Sequence, residues 1–518
     1  MKITSSTFIG SSPETVLKEV FGFTEFRYKQ KEIINNVLSG KDTLAVMPTG
    51  GGKSLCYQIP ALILEGITLV ISPLISLMQD QVSAMKDSGI PCVYINSTLD
   101  WDEFLESQKE IKNGNIKLVY LSPEGLTSNK IRELLTSGQV HVSCVTIDEA
   151  HCISEWGHDF RPDYLEISYV RKLCPDAVML ALTATATSLV RNDIIKNLGM
   201  KTPEIFISSF NRPNIFLSVK PKIAAFDLVC ECISRHKGES GIIYCCSRKQ
   251  VDELTLSLNH LKYSVRSYHA GLSDEKRTKN QDDFISGKVQ IIVATVAFGM
   301  GIDKPDVRFV INYDLPKSLE EYYQEIGRAG RDGRPSEALL LFSRGDAHKI
   351  RYFFDDMADK TKAEQLLQAM VNYGTLHTCR RKTLLGYFGE SWEPQNHPEQ
   401  TKCCDVCSKG SIPLTDVTIP VQKFLCCMIR TNERYGTAYV IDVLLGSRQK
   451  RIIENHHNKV STYGIGKDID KDKWFELSEL MIQSGFIKKE GDYNILKMTS
   501  KGRNLLVTRE SVYLPIRI

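Results

Sequence analysis

Met47-Pro48-Thr49-Gly50-Gly51-Gly52-Lys53-Ser54 stands between a short apolar run, Thr43-Leu44-Ala45-Val46, and an apolar stretch that opens at Leu55. The run before it reads as a buried strand, and residues 55–64 read as the start of a helix. Strand, glycine-rich turn and helix, in that order, make a phosphate-binding loop. Thr49, Gly50, Gly51 and Gly52 let successive backbone N–H groups face a triphosphate, and the helix N-terminus adds partial positive charge. Lys53 reaches toward the β- and γ-phosphates, and Ser54 offers its hydroxyl to Mg²⁺. The strict pattern begins with glycine, and here that position is Met47. A glycine turn with no ligand is the alternative, and the flanking residues decide between the two.

Upstream, residues 14–38 have helical apolar spacing, interrupted at Phe21-Gly22-Phe23. They include Phe26-Arg27-Tyr28-Lys29-Gln30. The Gln30 amide offers a donor and an acceptor together, as an adenine edge requires, so Gln30 and the nearby Arg27 are nucleotide candidates. An ordinary surface glutamine is the alternative. Downstream, apolar runs at residues 67–71, 93–95, 117–121, 142–147 and 178–182 alternate with amphipathic stretches, one of them at 73–85. The alternation predicts an α/β fold, a parallel sheet with helices on both faces and ligands beyond the carboxyl ends of its strands. The 142–147 run ends in Asp148-Glu149-Ala150-His151. Beside a phosphate loop the two carboxylates divide their labour: Asp148 holds Mg²⁺ through water, and Glu149 orients and deprotonates the attacking water. An acidic pair that merely opens a loop is the alternative.

The chain has 518 residues, enough for three or four domains, with 42% hydrophobic and 25% charged residues. A net charge of +3 requires any nucleic-acid surface to be local. No signal peptide, apolar run of membrane-spanning length, fixed-period repeat or low-complexity tract is expected. Fifteen cysteines, scattered singly or in pairs, fit a reducing compartment better than a disulfide scaffold.

These motifs in this order resemble a superfamily-two helicase. The continuation Asp148-Glu149-Ala150-His151-Cys152-Ile153-Ser154-Glu155-Trp156-Gly157-His158-Asp159-Phe160-Arg161-Pro162 resembles the aromatic-rich loop of the RecQ family. In that family the loop couples single-stranded DNA binding to ATP hydrolysis. Trp156 and Phe160 offer flat faces for base stacking, and Arg161 offers a phosphate or cation–π contact; His158 joins them as a DNA candidate. Core aromatics are the alternative, which the local Gly, His, Asp and Pro oppose. Leu182-Thr183-Ala184-Thr185-Ala186 is similar to the motif that links the lobes to the γ-phosphate state.

A boundary is expected at residues 208–214, where Asn211, Pro213 and Asn214 form turns. A second alternating unit follows, with strands at 241–244, 264–268, 289–294 and 308–311. Their polar ends suit contacts with a sugar-phosphate backbone. Gln324-Glu325-Ile326-Gly327-Arg328-Ala329-Gly330-Arg331-Asp332-Gly333 resembles the motif that faces ATP across the lobe cleft. The three-residue spacing predicts one helical face for Arg328 and Arg331. The resemblance implies Arg331 as the finger, with Arg328 in support and Gln324 beside them. An arginine delivered only on closure neutralises transition-state charge and turns hydrolysis into stepping along a strand.

Residues 360–386 read as helical and contain Cys379-Arg380-Arg381; Cys403-Cys404-Asp405-Val406-Cys407 follows. Four such thiols suit a structural Zn²⁺. The usual bacterial RecQ spacing differs, because residue 401 is Thr and Cys403 adjoins Cys404. An adjacent pair of this kind is also found in the Werner-type helicase. Cys379, Cys403, Cys404 and Cys407 are therefore the expected ligands, with His397 the alternative to Cys403. The zinc is expected to hold a helical platform that presents Arg380 and Arg381.

Residues 411–420 read as a linker. Residues 412–518 carry 17 Lys and Arg against 12 Asp and Glu, so the chain's positive excess gathers there. Helices are expected at 421–434, 438–445 and 473–484, then a basic hairpin around Glu490-Gly491-Asp492. The set reads as a winged helix, and with Tyr463-Gly464-Ile465-Gly466-Lys467-Asp468 it resembles the RecQ carboxyl-terminal module. Its lysines, Lys467 among them, would contact duplex phosphates. Tyr493 reads either as a wedge against the terminal base pair or as a strand residue. The family often carries a further small DNA-binding helical domain, which is absent before Ile518, so an altered substrate preference is expected.

The resemblance implies two RecA-like parallel-sheet lobes (residues 1–208 and 209–345), a helical zinc-binding subdomain (346–411) and a winged-helix domain (412–518). It implies an ATP- and Mg²⁺-dependent 3′–5′ DNA helicase with a structural Zn²⁺, acting in recombination, repair and replication. The expected partners are single-stranded and tailed or forked duplex DNA and a single-strand-binding protein, for a monomer with no membrane. The expected compartment is the cytoplasmic nucleoid of a bacterium or the nucleus of a eukaryote. An RNA helicase, and a DNA-binding scaffold with a decayed motor, are the rival readings. The presence of Lys53, Asp148, Glu149, Gln324 and Arg331 together argues against decay.

Overall fold

The computed structural model describes the chain except for residues 1–2, 74, 96–100, 127, 156–159, 300–303, 355–358, 377, 394–395, 398–401, 410–413, 491–494 and 517–518, and the side chains of residues 75–77, 80, 353, 472, 483 and 489. Two compact units result. One comprises Met1–Gly374 with Arg380–Asp405, the other Thr375–Cys379 with Val406–Ile518.

The first unit holds two parallel sheets. Strands β1 (Thr43–Val46), β2 (Ile67–Ile71), β3 (Cys92–Ile95), β4 (Leu118–Leu121), β5 (Val142–Ile147), β6 (Val178–Thr183) and β7 (Glu204–Ile207) form one, in the order β3-β4-β2-β5-β6-β1-β7. Strands β8 (Ile215–Pro221), β9 (Ser240–Tyr244), β10 (Val265–Tyr268), β11 (Ile291–Ala294), β12 (Val307–Asn312) and β13 (Ser336–Phe342) form the other, in the order β10-β11-β9-β12-β13-β8. Every pairing in both sheets is parallel. Central strands such as β1, β2 and β6 are buried along their whole length, as helices on both faces demand. The consequence for function lies in strand order. β5, β6 and β1 are neighbours, so the loops that leave their carboxyl ends converge.

Three strands of the first unit lie outside the expected ones. β7 is an edge strand whose apolar run is only three residues, Ile205-Phe206-Ile207, all exposed or half-buried. β8 and β13 pair with each other over seven residues at the edge of their sheet, and both carry charged residues. The single helix expected at 360–386 is two, Lys360–Gly374 and Arg380–Tyr387, with Cys379 in the break.

In the second unit, helices Thr418–Arg430, Thr437–Leu444, Lys450–Glu454 and Lys471–Gln483 precede an antiparallel hairpin, β15 (Ile487–Glu490) and β16 (Ile495–Met498), and helix Ser500–Thr508 follows. This is the winged helix. Trp474 is fully buried at its centre and donates from Nε1 to the Gly466 carbonyl at 2.8 Å. The expected linker at 411–420 is corrected in part. β14 (Leu414–Asp416) pairs antiparallel with β17 (Tyr513–Pro515), and the first helix already begins at Thr418. Three-residue strands, one preceded by Pro413 and the other ending in Pro515, leave no periodic signal.

Candidate functional site

The phosphate loop is built as its sequence requires. Gly50 and Gly52 have φ of 77° and 74°, a region side chains rarely enter, and the Gly51 N–H closes the turn on the Pro48 carbonyl at 2.9 Å. Met47 fits at the first position because its side chain turns into the core, where its sulfur meets the Cys56 thiol at 3.7 Å. Gln30 is buried rather than on the surface. Its Nε2 donates to the Gly51 and Gly52 carbonyls at 3.2 and 3.0 Å, and its Oε1 accepts from the Arg27 N–H at 2.8 Å. The amide that was expected to read adenine thus braces the loop, while the Arg27 side chain is exposed.

Asp148 and Glu149 leave β5 beside this loop. Lys53 Nζ lies 3.7 Å from Glu149 Oε1. Burial, reinforced by Glu149, pushes the Asp148 carboxyl up to about 6 against the pull of Lys53. Its Oδ1 accepts from the Glu149 N–H at 3.0 Å, and its carbonyl accepts from the Tyr164 hydroxyl at 3.2 Å. Glu149 has φ 46° and ψ 47°, a left-handed conformation unusual for a residue with a side chain. Behind it, His151 Nδ1 lies 3.3 Å from Glu149 Oε2 and 3.0 Å from Thr183 Oγ1. Burial works against a proton on this ring, but Cys152 and Glu149 raise its pKa.

From Thr183 the contacts run on to the second sheet's side of the unit. Thr183 Oγ1 accepts from the Thr185 N–H at 3.2 Å, and Thr185 Oγ1 accepts from Gln324 Nε2 at 3.3 Å. Gln324 belongs to helix Leu319–Ile326. Arg331 lies against the phosphate loop, so close that a Cβ on Gly50 would stand 2.9 Å from its Cγ. Arg328 goes elsewhere. It is buried, lies near Tyr244 and would meet a Cβ on Gly299 at 2.9 Å. The shared helical face expected for these two arginines is corrected: the helix ends at Ile326, and both follow it in turns.

The Sγ atoms of Cys379, Cys403, Cys404 and Cys407 lie within 4.8 Å of one another. Thiolates around zinc at about 2.3 Å stand about 3.8 Å apart, so the set fits a tetrahedral Zn²⁺. His397 instead stacks on Trp392, with ring centroids 5.5 Å apart. The platform reading of Arg380 and Arg381 is corrected, because both are buried and used within the protein. Arg380 pairs with Asp405 at 2.5 Å, and Arg381 donates to Asn211 Oδ1, the Arg212 carbonyl and the Ile215 carbonyl at 2.6, 2.7 and 2.6 Å. Cys232, His236 and Glu337 form a second close group, but Arg235 occupies both Glu337 oxygens at 2.8 and 2.9 Å, which makes it an ion-pair network.

Among the DNA candidates, Phe160 is half-buried and Arg161 donates from Nη1 to the Pro73 carbonyl at 2.9 Å. Lys467 is exposed, its Cε 3.0 Å from where a Gly446 Cβ would stand. Trp156, His158 and Tyr493 lie outside the described residues. Sequence reasoning passed over Arg212, which sits in the turn at the expected boundary. Its only signal was charge among turn formers.

Four families match in succession: DEAD/DEAH box helicase over residues 27–192, Helicase conserved C-terminal domain over 224–333, RecQ zinc-binding over 344–408 and RQC domain over 412–518. The chain is 43% identical over 496 residues to the ATP-dependent DNA helicase RecQ of Pasteurella multocida, covering 95% of this chain and 77% of that one. It is 41% identical over 505 residues to the ATP-dependent DNA helicase RecQ of Bacillus subtilis, covering 96% and 84%. In fold it is similar to the Mycobacterium smegmatis helicase Lhr bound to ssDNA and AMP-PNP, with a TM-score of 0.56, 17% identity and coverage of 98% and 62%.

Proposed function

Because the chain belongs to the RecQ family of ATP-dependent DNA helicases, we propose that Lys53, Glu149, Gln324 and Arg331 couple its ATP hydrolysis to stepping along one DNA strand. The observation that carries this reading is the approach of Arg331 to Gly50 in the phosphate loop. Lys53 and the loop N–H groups bind the phosphates, Glu149 takes a proton from the attacking water, and Arg331 meets the charge that develops on the γ-phosphate. Ser54 and Asp148 would hold Mg²⁺, which neutralises phosphate charge when bound. The Glu149–His151–Thr183–Thr185–Gln324 chain supports a route by which the γ-phosphate state reaches the second lobe.

Residues 1–208 and 209–345 act as the two motor lobes, 346–411 as the zinc-binding subdomain and 412–518 as the duplex holder. Gln30 and Arg27 border the nucleotide, with Gln30 acting through the loop it braces. Phe160, Arg161 and Lys467 contact DNA together with Trp156, His158 and Tyr493. Family membership supports 3′–5′ polarity, monomeric action on tailed or forked DNA, a single-strand-binding protein as partner, a part in replication beside repair and recombination, and residence with the chromosome.

The test is ATP hydrolysis with and without single-stranded DNA, paired with unwinding of 3′- and 5′-tailed duplexes. DNA should stimulate hydrolysis strongly, and only the 3′-tailed duplex should open. Lys53→Ala should keep DNA binding and lose hydrolysis. Near-normal turnover in that variant would overturn the site assignment, and stimulation by RNA in preference to DNA would overturn the substrate.

A further inference from the structure

The geometry points to Arg212 as a positioning residue that holds the arginine turn of the second lobe onto the phosphate loop of the first. This rests on the reading of Arg331 as the finger and adds to it the group that places the finger. The guanidinium donates to four main-chain carbonyls. Nη1 reaches Thr49 at 3.3 Å and Gly327 at 3.0 Å, and Nη2 reaches Ala329 at 2.8 Å and Gly330 at 3.0 Å. Thr49 is the residue before Gly50, and Arg331 follows Gly330 directly. One planar fork therefore joins the two stretches whose contact brings Arg331 to Gly50.

The turn itself has no regular structure to hold it. The helix before it ends at Ile326, and Gly330 has φ 58°. Residues 305–308 hold its far end, where the Gly330 N–H donates to the Val307 carbonyl at 2.8 Å and Arg308 pairs with Asp332 at 2.7 Å, and residues 211–214 hold the side that faces the phosphate loop. Asn214 Nδ2 donates to the Gly330 and Arg334 carbonyls at 2.8 and 2.9 Å, beside the Arg212 fork. Residues 209–215 are in turn clamped by the segment after the zinc-ligand Cys379. Arg381 holds Asn211, Arg212 and Ile215 by the contacts given above. Glu390 accepts from Ser209 Oγ and the Phe210 N–H, both at 2.6 Å, and Phe388 stacks on Phe210 with centroids 4.7 Å apart. Arg212 thus projects from an anchored stretch and has both nucleotide-facing loops as its targets. Lysine could keep the charge but not the fork.

Because nucleotide binding is assigned to the first lobe and charge neutralisation to Arg331, loss of the fork should lower kcat and spare KM. The experiment is steady-state ATP hydrolysis by the full chain at saturating single-stranded DNA, on Arg212→Gln, Arg331→Ala and the double variant. Arg212→Gln should lower kcat by about 10-fold or more with KM for ATP within about 3-fold. Placed on Arg331→Ala, it should cost less than about 2-fold further, since both changes remove one function. Arg212→Lys should recover part of the loss. An equal kcat loss in both backgrounds, or a raised KM at unchanged kcat, overturns the positioning role and leaves the finger intact. Near-normal kcat in Arg331→Ala alone overturns the finger reading and the positioning role with it. If Arg212→Gln fails to fold by circular dichroism, Arg212→Lys carries the same cycle. Failure of both to fold assigns Arg212 a structural role and overturns the proposal.

Discussion

Glu149 combines two properties that structural carboxylates rarely share. Its backbone is left-handed, at a cost of about 1–2 kcal/mol, and its carboxylate stands between Lys53 and His151. Retaining such strain at a strand end makes sense where the side chain must be aimed. Glu149→Gln should therefore keep ATP binding and lower kcat by about 100-fold or more, read as single-turnover hydrolysis against binding of a fluorescent ATP analogue. Hydrolysis within a few-fold of wild type would sink the base assignment. At this scale residue type located groups that the fold brings together, as for Lys53 beside Glu149 and the four cysteines. It misled where a side chain turns inward. Gln30, Arg380 and Arg381 are buried, and no one-dimensional signal separates a buried arginine whose donors meet main-chain carbonyls from an exposed one.

Helix Ala225–Arg235 and strand β13 meet through Arg235, His236 and Glu337. Burial of Glu337 pushes its pKa up, but hydrogen bonds from His236 and Arg235 outweigh this and hold it below the usual value. That contribution is present above the unfolded carboxylate pKa and is lost as pH falls through the folded one. The Glu337 hydrogen bond raises the His236 pKa despite burial. That contribution is full below about 6.5 and fades as pH rises through the raised value. The network is strongest from about pH 4.5 to 6.5. Thermal stability should therefore decline as pH rises above about 6.5, and Glu337→Gln should flatten the decline. An unchanged slope in the variant would show that the network does not couple to folding. Interior strands were legible here because parallel sheets buried on both faces give continuous apolar runs. β7, β8 and β13 were not, because their apolar runs, at 205–207, 215–217 and 338–342, are short and adjoin polar or charged residues, and periodicity alone does not assign such runs.

For the molecule as a whole, the zinc ligands do more than close a loop. Asp405, between Cys404 and Cys407, pairs with Arg380, and the adjacent Arg381 clamps residues 211–215. Cys404→Ser should lose bound zinc and expose residues 380–408 to limited proteolysis, with faster cleavage than wild type by about 10-fold or more. Zinc content near one per chain in that variant, with unchanged cleavage, would remove Cys404 from the ligand set.

The sequence by itself determined the two α/β lobes, the phosphate loop, the paired carboxylates and the cysteine set. Each rests on residues close in the chain or on apolar periodicity, which local sterics and burial dictate. Only the tertiary structure decided which arginine meets the loop. Arg328 and Arg331 differ by one turn of chain, yet one packs beside Tyr244 and the other beside Gly50. The same holds for Arg212, whose four acceptors come from stretches more than 100 residues apart in the chain. Main-chain carbonyls carry no residue identity, so a side chain that recognises them leaves no partner to find in the sequence.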